Sequence, residues 1–438
     1  MSTGALAIFY VVFIIAAIII GMKTKTNIGI IGFIFAVILG VVISGTMTVA
    51  NVVSLWNTST MVLLFITTMF YGYANANGTI QALANKLIYK TRRLGKLMPI
   101  MLYLVITVVS AVGGGGDVTP VIVGPLAYSI AAAAGFNPFL AFCAVFFGSM
   151  LGANPTLWAQ AALLWRGLLE TYVFNGDAAR ALSADWVIFL MLIIVDTAIF
   201  LIWYFVLKGY KAKAIDAEEP APFTPQQKET MIVMVVVILA LLIPQTLYII
   251  FKTPATEFIK NLFDVKLLCA LGVAWLTIRK LGKCDDILKN YVPWSLIVLI
   301  CGLSTLIGMA NQLGIAQYVG DALSTMPGFV IVFAVAALSG LLSMATNGVL
   351  VCSLIGPLIP ALATASGHSM ESLCVCMVVG LLMGGMSPAS QGGAMALMGA
   401  GENEELRAMI LRKQIPLAFA MIFGWALICA LGFPSLFI

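Results

Sequence analysis

Apolar residues run along this chain in blocks of about twenty, the length one helix needs to cross the hydrocarbon core of a bilayer. Ten such blocks lie near 4–22, 27–45, 53–76, 137–165, 185–208, 231–251, 265–279, 292–312, 370–400 and 415–437. Two further apolar stretches, 97–133 and 327–366, are too long for a single span, and each is interrupted at its middle by small polar residues, Gly113 to Asp117 and Ser343 to Gly348. The pattern predicts that each is a re-entrant hairpin, two half-length helices meeting at a non-helical tip. Irregular backbone at membrane depth is tolerated only where protein or a water-filled cavity surrounds it.

Charge placement supports this count. With the N-terminus outside, the segments expected inside (23–25, 86–96, 208–228, 279–289 and 407–413) hold 18 of the 23 Lys and Arg residues, an asymmetry that follows the positive-inside rule. Reading either hairpin as a full span would flip every later loop and spoil it. The first apolar run has no basic region ahead of it, and Lys23 and Lys25 follow it, so it is expected to be a span and not a cleaved leader.

Composition narrows the function class. Of 438 residues 62% are hydrophobic and 9% charged, far from the roughly one quarter charged of soluble domains, which excludes nucleic-acid binding and a soluble catalytic domain. Eight cysteines stand singly, mostly inside apolar runs, as small core residues. A single histidine, His368, with no HExxH or GxSxG pattern, argues against a membrane-embedded enzyme.

The chain also repeats itself. Gly72-Tyr-Ala74-Asn75 through Gly78 matches Gly308-Met-Ala310-Asn311 through Gly314, and Gly124-Pro125-Leu126, Gly135, Gly148 and Gly152 match Gly356-Pro357-Leu358, Gly367, Gly380 and Gly384 at nearly the same offset. Each half holds five spans and one hairpin, and five is odd, so the halves are expected to be inserted with opposite orientation. An inverted repeat with two interrupted hairpins marks a transporter whose site lies at the midplane where the halves meet.

Four irregular segments are the candidate site, two per half. The first tip, Ser110 to Pro120, carries four consecutive glycines that bare the backbone to a ligand. Within it Asp117 is a carboxylate at membrane depth, open to three roles: binding sodium, carrying a proton, or capping the hairpin helix. The second segment, Phe147 to Thr156, breaks a span at Pro155, and the third, Gly384 to Gly393, breaks its counterpart at Pro388. The second tip, Ser343 to Gly348, supplies neutral hydroxyl and amide groups. Substrate contacts are expected from Gly115, Gly116, Thr119, Asn154, Pro155, Thr156, Thr346, Asn347, Gly348, Ser387, Pro388, Ser390 and Gln391, and sodium ligands from Ser110, Gly113, Asp117, Gly152, Ser343, Asn347 and Gly384. Asp196, inside the span 185–208, is a second intramembrane carboxylate open to proton coupling.

At these tips the sequence resembles the ion transporter superfamily, specifically the divalent anion/sodium symporters and the related malonate (dicarboxylate) carriers. Ala345-Thr346-Asn347-Gly348 is a near variant of the symporters' Ser-Asn-Thr tip, whereas Gly113–Gly116 with Asp117 departs from it. Ala76-Asn77-Gly78-Thr79-Ile80 and Ser387-Pro388 with Gly392-Gly393-Ala394-Met395-Ala396-Leu397 look closer to the malonate carriers. The resemblance implies an all-α homodimer in a bacterial inner membrane. A scaffold (1–96 and 231–326) would hold a sliding transport domain (97–208 and 327–438), with 209–230 as a cytoplasmic linker. It implies a small di- or tricarboxylate moved with sodium or protons, and no other cofactor. Two relatives of the same superfamily remain alternatives: the membrane subunit of a binding-protein-dependent carrier, and a cation/proton antiporter.

Orientation can be tested directly. Single cysteines placed at Ser2 and at Lys211 should react with an impermeant thiol reagent from opposite sides of the membrane. Equal accessibility at both positions would sink the ten-span count.

Overall fold

The computed structural model describes residues 3–24, 26–155, 157–216, 218–251, 253–314, 326–344, 348–400 and 403–438, and among these every regular element is a helix. The first half runs α1 (Thr3–Thr24), α2 (Ile28–Val37, continued by a π turn to Ile43), α3 (Val49–Ser54), α4 (Thr58–Ala76), α5 (Thr79–Thr91), α6 (Met98–Val109), α7 (Gly115–Ala134), α8 (Pro138–Ala153), α9 (Gln160–Tyr172) and α10 (Ala178–Val206). The second half runs α11 (Pro225–Phe251), α12 (Pro254–Leu262), α13 (Val265–Ile278), α14 (Cys284–Asn290), α15 (Trp294–Gln312), α16 (Gly328–Ser343), α17 (Gly348–Ile355), α18 (Ile359–Ser366), α19 (Met370–Gly384), α20 (Gln391–Met398) and α21 (Glu404–Ala430).

Local chemistry sets these boundaries. Asn27, Asn137, Asp177, Ser369 and Asn403 each accept a backbone N–H in the first turn of the helix they precede, satisfying donors that would otherwise be orphaned. Thr48 with Asn51, and Thr253 with Thr256, close reciprocal capping boxes on α3 and α12. Among the described residues five helical stretches are long and apolar enough to cross a membrane, or six if the bent pair α12–α13 counts as one.

Both long apolar stretches are hairpins. Arms α6 and α7 pack on each other and on α8, with the reversal between them at Gly113 (φ 127°) and Gly115 (φ 66°), a backbone conformation that favours glycine. Arms α16 and α17–α18 do the same against α19, the outgoing arm being interrupted by a 3₁₀ turn at Gly356–Leu358 where Pro357 enters. Two predicted spans are broken helices: 137–165 is α8 and α9, and 370–400 is α19 and α20.

The glycines matched between the halves perform one job twice. A Cβ on Gly148 or Gly152 of α8 would collide with the carbonyl oxygens of Tyr103 or Thr107 on α6, and one on Gly380 or Gly384 of α19 with those of Ala336 or Gly340 on α16. Each broken helix therefore lies backbone to backbone on the incoming arm of its own hairpin. The remaining partners exchange between halves: α2 packs on α15 while α13 packs on α4, and α10 packs on α19 while α21 packs on α8. At the α2–α15 crossing Gly29 and Gly302 meet directly, and Asn27 donates to the Ser295 carbonyl at 2.7 Å.

The linker is shorter than the sequence indicated. Helix α11 starts at Pro225, six residues before the apolar run, because Glu229 pairs with Arg279 at 2.7 Å and gives that polar first turn a partner. The segment before it is pinned too, Lys213 N–H to the Ala134 carbonyl (2.8 Å) and Ile215 N–H to the Arg92 carbonyl (3.0 Å).

Overpacking at a backbone crossing costs about 1–3 kcal/mol. Gly384→Ala should therefore lower the thermal unfolding midpoint of the purified chain clearly. Gly424→Ala, where an added Cβ meets nothing within 4 Å, should leave that midpoint unchanged or raised.

Candidate functional site

The first hairpin tip, the residues flanking the second and both helix breaks border one cavity of about 800 Å³. Its wall includes the first residues of α7, α9, α17 and α20, namely Gly115, Gln160, Gly348 and Gln391. It also includes residues at the last turns of α16, α8 and α19, represented by Ser343, Asn154 and Gly385. Helix N-termini present free N–H groups and the positive end of the macrodipole, and C-termini present carbonyls and the negative end. No Lys, Arg, His, Asp or Glu is among the described residues of the wall. The charge-bearing features of the described wall are therefore helix ends and neutral side chains.

The first tip is held by a chain of hydrogen bonds. Ser110 Oγ donates to the Ser149 carbonyl on α8 at 2.8 Å, and Trp158, in the break between α8 and α9, donates its indole N–H to the Ala111 carbonyl at 2.8 Å. Tyr71 on α4 donates its hydroxyl to the Trp158 carbonyl at 2.7 Å, and Asn75 Nδ2 donates to the carbonyls of Tyr71 (3.2 Å) and Gly113 (3.3 Å). Both partners of Asn75 are carbonyls, so its NH₂ must face them and its Oδ1 faces away. Asn154 is fixed alike, its Nδ2 on the Met150 carbonyl. The Oδ1 atoms of Asn75 and Asn154 and the Oγ1 of Thr119 are buried and find no hydrogen-bond partner among the described residues. Leaving such a group unpaired costs about 1–3 kcal/mol each, which a bound cation or a substrate hydroxyl would recover.

The second break turns tightly. Ser387 Oγ accepts the Ala389 N–H at 3.2 Å, and Gly393 N–H returns to the Gly385 carbonyl at 2.9 Å. A Cβ on Gly393 would overlap the Met386 and Ser387 carbonyls, which explains the glycine there. Gln414 on α21 donates to the Met386 carbonyl at 2.6 Å and supports the turn from behind.

Of the residues singled out by sequence, Gly115, Gly116, Asn154, Ser343, Gly348, Ser390 and Gln391 line the cavity. Thr119 and Pro155 are buried behind the wall, and Ser387 and Pro388 shape the turn. Gly113 forms the reversal, Ser110 ties the tip to α8, and Gly152 and Gly384 are the crossing glycines. Thr156, Thr346, Asn347 and the side chain of Asp117 lie outside the described residues. Asp196 is buried on α10, away from the cavity wall, with Oδ2 unpartnered. Sequence reasoning missed Asn75, Gln160, Trp165 and Tyr71, all of which line the cavity. The repeated Gly72–Gly78 block is the signal for Asn75, while Tyr71, Gln160 and Trp165 carry none, since they sit inside long apolar runs.

A family model described as "Citrate transporter" (CitMHS) matches residues 10–380, and the chain belongs to that family. It falls within the ion transporter superfamily, with citrate transporters in the place that the motifs alone give to malonate carriers. The solved structure of the YdaH transporter of Alcanivorax borkumensis, described as having an unusual topology, is similar in fold, with a TM-score of 0.62 and 14% identity over 90% of this chain and 89% of that one. No curated protein matches the sequence.

Gln160 and Gln391 come from opposite halves onto one water-accessible wall. Cysteines at either position, in a background with Cys284 replaced by serine, should be modified readily by a hydrophilic maleimide. A cysteine at the buried Ser149 should resist. Protection of both glutamine positions would mean that the cavity is not open to water.

Proposed function

We propose that the chain is a secondary active carrier that moves a small di- or tricarboxylate, citrate first among the candidates, in symport with sodium or protons. The observation that carries this reading is the convergence of four helix N-termini on one cavity with no charged side chain among its described wall residues. A carboxylate held by N–H groups and dipoles can be released again more easily than one clamped by buried arginines. The volume also suits a solute of this size. The unpartnered oxygens of Asn75, Asn154 and Thr119 beside the first tip favour a cation travelling with the anion, sodium in the first instance. Asp117, in the first turn of α7, is the group that sets its charge requirement.

In this reading the molecule is a homodimer in a bacterial inner membrane. Segments 97–208 and 327–438 carry the cavity as a sliding transport domain, and 1–96 and 231–326 form the scaffold, the two halves being related as an inverted repeat. The exchanged packing partners of the two halves support that relation.

Uptake into proteoliposomes tests the whole reading. A panel of mono-, di- and tricarboxylates, offered under separate sodium and pH gradients, should give gradient-driven accumulation of citrate or a C4-dicarboxylate by the chain alone. Accumulation of no carboxylate would defeat it. Asp117→Asn keeps the shape and one acceptor oxygen. The sodium concentration for half-maximal uptake should rise at least about tenfold, the loss of a charge-assisted contact. A flattened pH-gradient response with unchanged sodium dependence would assign the residue to a proton instead, and unchanged dependence on both would leave it a helix cap.

A further inference from the structure

Trp165 lies on α9, five residues in from its N-terminal Gln160, and lines the cavity. Its indole nitrogen is buried and donates to nothing, the one nitrogen among the buried side-chain atoms left without a partner in the described residues. Trp158, seven residues earlier, shows what a buried indole normally does: its N–H is taken by the Ala111 carbonyl. The other strong donors nearby are likewise spent. The amides of Asn75 and Asn154 face carbonyls, and the Tyr71 hydroxyl serves Trp158. Gln160 is half-buried and Gln391 exposed, so neither is a donor stripped of water as the buried indole is.

We propose that Trp165 is a specificity-determining residue whose indole N–H donates to a carboxylate oxygen of the transported anion. The inference rests on the carrier reading above. In a cavity walled by neutral groups, a donor already stripped of water gains more from an anion than one that must first give water up. A carboxylate oxygen, with its full acceptor capacity, is the partner that gains most from a lone N–H. The ring itself is fixed. A Cβ added to Gly348, the first residue of α17, would come within 3.1 Å of Trp165 Cη2, so the indole from the first half abuts the start of the outgoing arm of the second hairpin. The indole ring is thus seated where both halves meet, and the glycine leaves room for it.

The test uses the purified full-length chain in nanodiscs with citrate as probe. Trp165→Phe keeps a smaller aromatic ring and deletes the N–H. Citrate affinity by calorimetry should fall about tenfold or more, with the thermal midpoint retained. In protein carrying 5-fluorotryptophan, the Trp165 resonance should move on citrate addition. That resonance is assigned by its loss in Trp165→Phe or, should that variant not fold, by elimination across the other seven tryptophans. A variant that binds citrate as the wild type does, or a Trp165 resonance that citrate leaves in place, overturns the proposal while the carrier reading stands. Failure of the wild type to bind citrate or any other carboxylate of the panel overturns both.

Discussion

A backbone group that leaves its helix inside hydrocarbon must find protein or water, because lipid offers it no hydrogen bond. Among the described residues, helices end or begin at Gly113–Gly115, Asn154, Ala159, Met344, Gly348 and Gly385–Ser390, and Gly115, Asn154, Gly348, Gly385 and Ser390 border the same cavity. The tight glycine crossings of α6 on α8 and of α16 on α19 serve that end. They set each hairpin against the broken helix of its own half, so that tip and break come out side by side.

The same arrangement settles the electrostatics. A buried arginine or lysine in a cavity at membrane depth would be costly whenever the cavity held no anion. Helix ends avoid that cost, since each carries only a partial charge of about half a unit that its own helix already supports. In the carrier reading, four N-termini with the intervening C-termini would give a wall that attracts an anion and a cation at neighbouring places. Among the described residues, Asn75 and Asn154 near the first tip leave an oxygen without a partner, and Trp165, whose ring abuts Gly348, leaves its N–H so.

Much of this is legible in the sequence because the signals are local. Glycine runs and Pro155 and Pro388 mark the interruptions, and the shared offset of Gly148 and Gly152 with Gly380 and Gly384 marks equivalent positions in the two halves. What stays hidden depends on tertiary meeting. Asn75 sits in an unbroken helix and matters only because Gly113 arrives beside it. Trp165 looks like one more apolar residue at the end of a span, and its free N–H exists only because nothing among the described residues accepts it. The extra helical turn at Pro225 resembles linker since its polar side chains look solvated, while Arg279 supplies the partner from a distant segment. The short amphipathic helices α3 and α12 fall below the length at which a hydropathy window responds, though their capping threonines are visible.

Sliding of a transport domain past a scaffold would have to break whatever polar contacts hold the two together, and those contacts are few. Away from the chain connections, four side-chain hydrogen bonds join them among the described residues: Tyr71 to Trp158, Asn75 to Gly113, Asn57 to Thr171 and Tyr172 to the Ile300 carbonyl. At roughly 0.5–1.5 kcal/mol net each, they amount to about 2–6 kcal/mol. A ligand bound at micromolar affinity contributes about 8 kcal/mol, but only its preference for one position over the other can shift the balance. Two of the four bonds, those of Tyr71 and Asn75, sit on the cavity wall itself. In that reading, occupancy of the cavity would act on half of this polar restraint directly, and the coupling between loading and movement would need no longer route than the tip of the first hairpin.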